Sequence, residues 1–472
     1  MLHELHEKIV HLLASPTLFY LGFSIWLTNS FLESTYAWIF VPASVSKALR
    51  YVALGLVVLW SLCRSKSRLR VVPIYMAIAA AIYLCTRSTK FVKYSFVLLI
   101  PLGRLAGQEG LRSRSAWISL IGSSILVCSA ANAESVALLD LGVLFLASQD
   151  VEFRSLASLA LVLTSAFVAI VLVGASLGVL GNYILDPGVS GRMRYYLGFS
   201  YALYPARYLF LITCLVMYLE RGKPSPVEVV ALVIANTFVY KLVDARLAFY
   251  CAMMVLLVGC IVGRLRANLL DKKAVRVILI AAIPALAVIA VASAIVYDPD
   301  VEWMARLNAG GILGNRMSLA NAALKSMGVP PLGQKVQFVG NALSATDEVS
   351  GAYNYVDSIY VQILVVYGPL VWLIIAGLQT MALKTALDNR DAVLAVILLT
   401  VAGQGIIDDA MLTINYNTFV LLGASAAAQI VDIVGKDHGP LKVLHGANGD
   451  ANQVRLKGAQ DAQGTWQQFE YE

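Results

Sequence analysis

The chain has 472 residues, of which 59% are hydrophobic and only 14% are charged, and its formal net charge is +7. Soluble domains are nearer half apolar and about a quarter charged, so this composition excludes an ordinary globular enzyme and predicts an all-α, polytopic integral membrane protein. Some apolar stretches are short against the roughly 20 residues that a span needs, and we expect about 11–14 transmembrane helices. In chain order, the apolar stretches lie near residues 16–33, 48–63, 71–87, 91–107, 115–131, 134–148, 154–180, 201–219, 226–242, 245–263, 274–297, 357–380, 391–407 and 412–434.

Short basic connections alternate with less basic ones along the chain. Those at 64–70, 220–226 and 264–276 are rich in lysine or arginine, which is typical of cytoplasmic loops. The alternation predicts that both termini are cytoplasmic and that residues 298–356 form one large outer loop. Residues 1–434 form the predicted membrane domain, and the polar tail 435–472 is expected to be disordered.

The sequence predicts no cofactor. It contains neither a Walker A loop nor a GxGxxG turn, so nucleotide-driven transport is disfavoured. The five histidines lie near the two ends of the chain, and the six cysteines form no CxxC pair; we therefore expect no metal site. The string "YDPD" at 297–300 resembles a metal-diphosphate motif, although Asp–Pro is also a common opening for a turn.

Several cations fall on the predicted outer side, where positive charge is normally sparse. Lysines there are able to reach lipid headgroups along their apolar stems. Arg194, Arg246 and Arg316 instead lie in short loops or helix-like stretches beside apolar residues, where a guanidinium needs a partner. Because arginine binds phosphate in a bidentate manner, these residues predict an anionic substrate headgroup at the outer leaflet. The candidate substrate-binding arginines are Arg192, Arg194, Arg246, Arg306 and Arg316.

Asp357 begins the apolar stretch that follows the long outer loop. One interpretation is an N-cap or first-turn carboxylate, which the helix dipole favours. The other is a general base that accepts a proton from an attacking hydroxyl. Nearby Tyr360 is a candidate for stacking on a sugar ring or a member of the interfacial aromatic belt. Asp140 lies inside an apolar run, which suggests proton coupling unless it sits near the end of a helix.

Four stretches resemble, in order and spacing, the Wzy-type polysaccharide polymerases of the O-antigen polymerase/ligase superfamily, in the form found in exopolysaccharide and capsule clusters. The similarity runs from about residue 136 to 385. The stretches are "RYYLGFSYALYP" (194–205), "DARLAF" (244–249), "LGNRMSLANAALKSMGVPPLGQKV" (313–336) and "NYVDSIYVQILVVYGPL" (354–370).

This resemblance implies a fold related to the membrane-embedded glycosyltransferases, in a bacterial plasma membrane. It also implies a reaction in which a glycan on undecaprenyl diphosphate is transferred to another lipid-linked repeat unit. Arg194, Arg246 and Arg316 match the family's outer arginine positions, and Arg316 and Asp357 are the candidate catalytic residues. The implied partners are the lipid-linked oligosaccharide and the bilayer, with a chain-length regulator and a flippase as further candidates and no nucleic acid.

Two other functions remain open at this point. The ligase branch of this family tends to carry His at the position where this chain has Asp357. The absence of that His favours a polymerase over an O-antigen-ligase-like transferase with a different acceptor. A flippase or transporter of lipid-linked saccharides should show internal repeats, interrupted helices and polar sites at mid-membrane. The chain shows no repeat, and its polar groups are concentrated in one loop.

Overall fold

Helices form where the apolar stretches predict them. The computed structural model describes residues 14–64, 71–106, 114–185, 193–264, 272–309, 313–340 and 353–424, all within the compact unit Met1–Ile430. The structure is mostly helical with almost no sheet, in agreement with the predicted all-α class. The predicted disordered tail lies outside the described residues.

The first half of the chain forms helices joined mostly by short turns. A small antiparallel pair, in which Ile184 faces Tyr195 and Leu185 faces Arg194, follows the eighth helix. The elements are α1 Pro16–Glu33, α2 Ala43–Arg64, α3 Val71–Thr86, α4 Thr89–Tyr94, α5 Leu99–Leu105, α6 Arg114–Ala133, α7 Val136–Ser148, α8 Phe153–Ser176, β1 Ile184–Leu185 and β2 Arg194–Tyr195.

The second half continues with longer helices and two short ones in the predicted outer loop. The elements are α9 Tyr204–Leu219, α10 Pro226–Val243, α11 Arg246–Arg264, α12 Lys273–Ile295, α13 Glu302–Ala309, α14 Arg316–Met327, α15 Ile359–Val366, α16 Pro369–Asp388 and α17 Ala392–Gln404.

Seven of the described helices are long and apolar enough to cross a membrane, and four shorter apolar helices accompany them. The long ones are α2, α6 (from Ala116), α8, α10, α11, α12 and α16, and the shorter ones are α3, α7, α9 and α17. The chain therefore fits a multi-pass membrane protein.

Three predicted spans are interrupted. The stretch 91–107 contains a 3-10 turn, Ser95–Leu98, because Pro101 has no N–H and its ring crowds the carbonyl of Val97. The stretch 357–380 divides into α15 and α16 at Gly368, whose φ is 85°, followed by Pro369 at the first helical position. The described part of 412–434 consists of a turn, the 3-10 helix Thr418–Leu421 and three helical residues after it, and residues 425–434 lie outside the described ranges.

Glycines allow two close approaches that determine this packing. A Cβ on Gly22 of α1 would lie 2.8 Å from the Ala53 carbonyl oxygen of α2, so only a small residue lets these helices meet. A Cβ on Gly368 would lie 2.5 Å from the carbonyl oxygens of Pro330 and Pro331. The segment 328–334 therefore packs against the junction between α15 and α16.

Replacing Gly333 with alanine should destabilise this junction. Gly333 has a φ of 74°, and a Cβ there would clash with the Val366 carbonyl oxygen and lie 2.9 Å from Tyr367 Cα. Backbone strain and overpacking each cost about 1–3 kcal/mol, so we expect a lower midpoint in thermal unfolding of the purified protein. The control is Gly377→Ala in α16, where no described atom lies within 4 Å of the added Cβ. Equal midpoints for the two variants would contradict this assignment.

Candidate functional site

The loops that carry the candidate residues meet at one end of the helices. The end of α1 joins the segment before α9, because Thr35 bridges Phe199 and the Ser34 hydroxyl lies 2.7 Å from the Tyr208 hydroxyl. Asn415, beyond α17, donates to the same Tyr208 hydroxyl at 3.0 Å. These loops are all on the outer side in the predicted topology.

Arg316 and Asp357 form an ion pair at this end, with 2.8 Å between Arg316 Nε and Asp357 Oδ2. Their side chains are 28% and 16% exposed, so the pair is accessible from one side. Asp357 lies one residue before Ser358, the N-cap of α15, which makes no side-chain cap hydrogen bond. The N-cap or first-turn interpretation of Asp357 is therefore wrong, and its partner is the guanidinium of Arg316.

Asn308 fixes the start of α14 and with it the position of Arg316. Asn315 has a left-handed φ of 67° and makes no side-chain cap bond of its own. The Asn308 side-chain oxygen instead accepts hydrogen bonds from the backbone N–H groups of Met317 and Ser318, at 3.1 and 3.2 Å. A side chain from α13 thus performs the capping role that stabilises a helix N-terminus.

A second, more buried charge cluster lies beside this pair. Arg207 Nη2 is 2.5 Å from Asp409 Oδ1 and 3.1 Å from Asp408 Oδ1. The Tyr355 hydroxyl donates to the other oxygen of Asp409. The Arg207 guanidinium also packs over the rings of Tyr204 and Tyr416, at 5.9 and 5.6 Å from their centroids. A buried guanidinium with two carboxylates and two aromatic faces forms a rigid base for the site.

Electrostatic coupling joins the two groups of charges. Burial raises the pKa of Asp357 to about 6; Arg316 opposes this shift, whereas Asp409 and Asp408 add to it. Burial also raises the pKa of Tyr353, with Asp357 adding to the shift and Arg316 and Arg194 opposing it. Tyr353 therefore lies within the fields of both arginines and of Asp357.

The structure brings some of the predicted residues together and separates others. Arg194 acts on Tyr353, and its buried Nε has no hydrogen-bond partner among the described residues. Arg246 pairs with Asp244 at the turn between α10 and α11, 3.2 Å away. Arg306 pairs with Glu302 on the surface of α13 and is 76% exposed. Arg192 lies outside the described residues.

Tyr360 is a core residue in this structure. It is 2% exposed, and its hydroxyl donates to the Ala402 carbonyl oxygen at 2.9 Å. It therefore joins α15 to α17 and presents no face for stacking on a sugar. In the "YDPD" string, the Asp300 N–H donates to Asp298 Oδ1 at 2.9 Å, which is the geometry of a turn. No group of His, Cys, Asp or Glu in the described ranges is arranged to hold a metal ion.

The sequence interpretation missed Arg207, Asp408 and Asp409. A signal for them was present, because an arginine inside an apolar helix and two adjacent aspartates between apolar segments are costly in a membrane protein and mark functional sites by default. What pairs them is tertiary contact, since Arg207 and Asp409 are 202 positions apart.

No protein-family model, curated protein or solved structure matches this chain.

Proposed function

We propose that this protein is a glycosyltransferase-type polysaccharide polymerase. It joins undecaprenyl-diphosphate-linked repeat units into exopolysaccharide or capsule at the outer face of the bacterial plasma membrane. The observation that carries the proposal is the accessible Arg316–Asp357 pair, 2.8 Å long, beside the buried Arg207 cluster. A fixed cation next to a fixed carboxylate is the arrangement needed to stabilise a departing phosphate and to deprotonate an acceptor hydroxyl.

The reaction divides between these two side chains. The acceptor hydroxyl oxygen attacks the anomeric carbon of the donor sugar and forms the new glycosidic bond. Its proton passes to the Asp357 carboxylate. The bond between that carbon and the diphosphate oxygen breaks, and the electron pair leaves with undecaprenyl diphosphate, whose negative charge Arg316 stabilises. Arg194, whose Nε has no described hydrogen-bond partner, is the second candidate for holding the diphosphate.

Substrate binding would change the state of the pair. At rest, the Arg316 guanidinium and the Asp357 carboxylate neutralise each other. A diphosphate offers Arg316 two oxygens that accept parallel hydrogen bonds from its guanidinium. Arg316 then releases Asp357, whose carboxylate is free to face the acceptor. The activated donor supplies its own leaving group, so the step requires no nucleotide.

The predicted topology supports the same location. The site is built from the end of α1, the segment before α9, the start of α14 and the segment after α17, all outer in that topology. Basic residues lie at the other helix ends, where Arg276 pairs with Asp388 and Arg154 donates to the Leu219 carbonyl oxygen at 2.6 Å. That distribution agrees with cytoplasmic termini.

The rate of glycan lengthening should rise with pH through about 6. Burial favours the protonated form of Asp357 and raises its pKa to about 6, so the base is lost as pH falls below that value, and the rate should fall about tenfold per pH unit there. Initial rates measured from pH 5 to 8 test this expectation. Asp357→Asn should abolish activity, and Asp357→Glu should retain part of it. If Asp357→Asn were active and its rate of glycan lengthening still fell below about pH 6 as in wild type, the carboxylate would not be the base.

Reconstitution tests the function as a whole. Purified protein in liposomes is given the host's own lipid-diphosphate-linked repeat unit, without a flippase or chain-length regulator. We expect a ladder of lengthened lipid-linked glycans. Substrate that crosses the bilayer without lengthening would identify a flippase instead. Transfer of one glycan to a different acceptor, with no ladder, would identify a ligase-like transferase.

A further inference from the structure

A polar cavity lies between α1, α2, α7 and the segment 412–416. Its volume is about 240 Å³, many times the roughly 10–15 Å³ that one water needs. Glu33 at its edge is 39% exposed, so the cavity reaches the surface. Its polar and aromatic lining includes Trp26, Glu33, Arg50, Asp140, Asn415 and Tyr416.

The charged residues of this cavity hold one another in place. Arg50 lies 2.5 Å from Glu33 Oε2 and 3.3 Å from Asp140 Oδ2. The Trp26 indole N–H also donates to Asp140 Oδ2, at 2.9 Å. Asp140 lies only one turn inside α7, and its partner is the cation Arg50. These contacts favour the position near a helix end over proton coupling.

One atom of this network is left without a donor. Asp140 is 4% exposed, and its Oδ1 is buried with no hydrogen-bond partner among the described residues. Leaving a buried carboxylate oxygen unpaired is costly. Because Asp140 lines the cavity, a donor placed there would satisfy it.

The charges and aromatic rings that line the cavity indicate which class of ligand would supply this donor. Two carboxylates and one guanidinium give no excess of positive charge, which disfavours a phosphate. A small cation is disfavoured because Arg50 already occupies the cationic position between the carboxylates. A neutral ring with several hydroxyl groups fits best, since it donates to Asp140, accepts from Arg50 and packs on aromatic faces.

We propose that this cavity binds a sugar ring. Tyr204 and Tyr416 line it, and the same two rings pack on Arg207, so the cavity adjoins the candidate catalytic site. The identification of this ring as part of a lipid-linked saccharide undergoing polymerisation rests on the proposed function. The proposal that the cavity binds a sugar does not depend on that function. The wall is preorganised, because Tyr208 bonds both Ser34 and Asn415.

Equilibrium dialysis tests this binding without any catalytic readout. The full chain in lipid nanodiscs is dialysed against saccharides released by mild acid from the host's lipid-linked glycan pool, and the retained sugar is identified by mass spectrometry. We expect wild type to retain a saccharide. Asp140→Asn should bind it about tenfold more weakly, through loss of a charge-assisted hydrogen bond.

A second variant covers the case in which Asp140→Asn fails to fold. Ala137 lines the cavity and is exposed, so Ala137→Phe should fill the cavity and reduce retention without replacing a member of the ion pairs. Val162→Phe adds the same bulk at an exposed position of α8 and should leave retention unchanged. The proposal would be overturned if wild type retained no saccharide, or if Ala137→Phe retained as much saccharide as wild type. The cavity would then hold water only. If the protein retained sugar in dialysis but did not lengthen glycans in liposomes, the proposed sugar binding would be supported and the proposed polymerase activity would be refuted.

Discussion

Arg316→Ala should reduce glycan lengthening about 10²–10³-fold, because removal of one group that stabilises developing negative charge typically costs this much. Arg316→Lys keeps the charge but loses the planar fork that binds phosphate through two hydrogen bonds, and should show an intermediate loss. The measurement is the initial rate of ladder formation in liposomes. Because Arg316 lowers the pKa of Asp357, the residual activity of Arg316→Ala should be shifted to higher pH.

The matched control for this variant lies on the same helix. Lys325 is an exposed cation in the last turn of α14, and Lys325→Ala should lengthen glycans at the wild-type rate. If Arg316→Ala formed a complete ladder, Arg316 would have no role in the reaction, and its ion pair with Asp357 would be purely structural. Equal losses in both variants would indicate that α14 acts through its overall charge.

Arg207→Leu should destabilise the protein by about 3–5 kcal/mol, because removing one partner of a buried ion pair leaves uncompensated charge behind. Arg207 and Asp408 are each 8% exposed, and Asp409 would also lose its cation. The measurement is the free energy of unfolding in mixed micelles. We expect the double variant Arg207→Leu, Asp408→Asn to recover part of the loss.

The contrast with an exposed ion pair makes this test specific. Arg276 pairs with Asp388, and their side chains are 32% and 42% exposed. Exposed pairs contribute about 0–1 kcal/mol, so Arg276→Leu should change the free energy of unfolding little. If Arg207→Leu were as mild as Arg276→Leu, water would have to reach the Arg207 cluster.

The candidate site was predictable only where one residue stood out locally. Asp357 was predictable because an acidic residue begins an apolar stretch, and Arg316 because a cation interrupts a helix-like stretch on the predicted outer side. Their ion pair was not predictable, since it depends on how α14 and α15 pack. The same limit explains why Arg246 and Arg306 were predicted to bind substrate. Both are cations in suitable segments, but in the structure each forms an ion pair with an acidic residue nearby in the sequence.

The sequence by itself determined that this is a multi-pass helical protein and where most of its helices begin and end, because hydropathy and helix signals act over a few adjacent residues. Pro226 and the capping box of Ser225 and Glu228 define the start of α10 in this way. Tertiary structure alone decided which polar groups meet. Arg207 joins Asp409 across 202 positions, and Trp26 joins Asp140 across 114. A buried charge must find a partner, and only the folded chain determines which one is within reach.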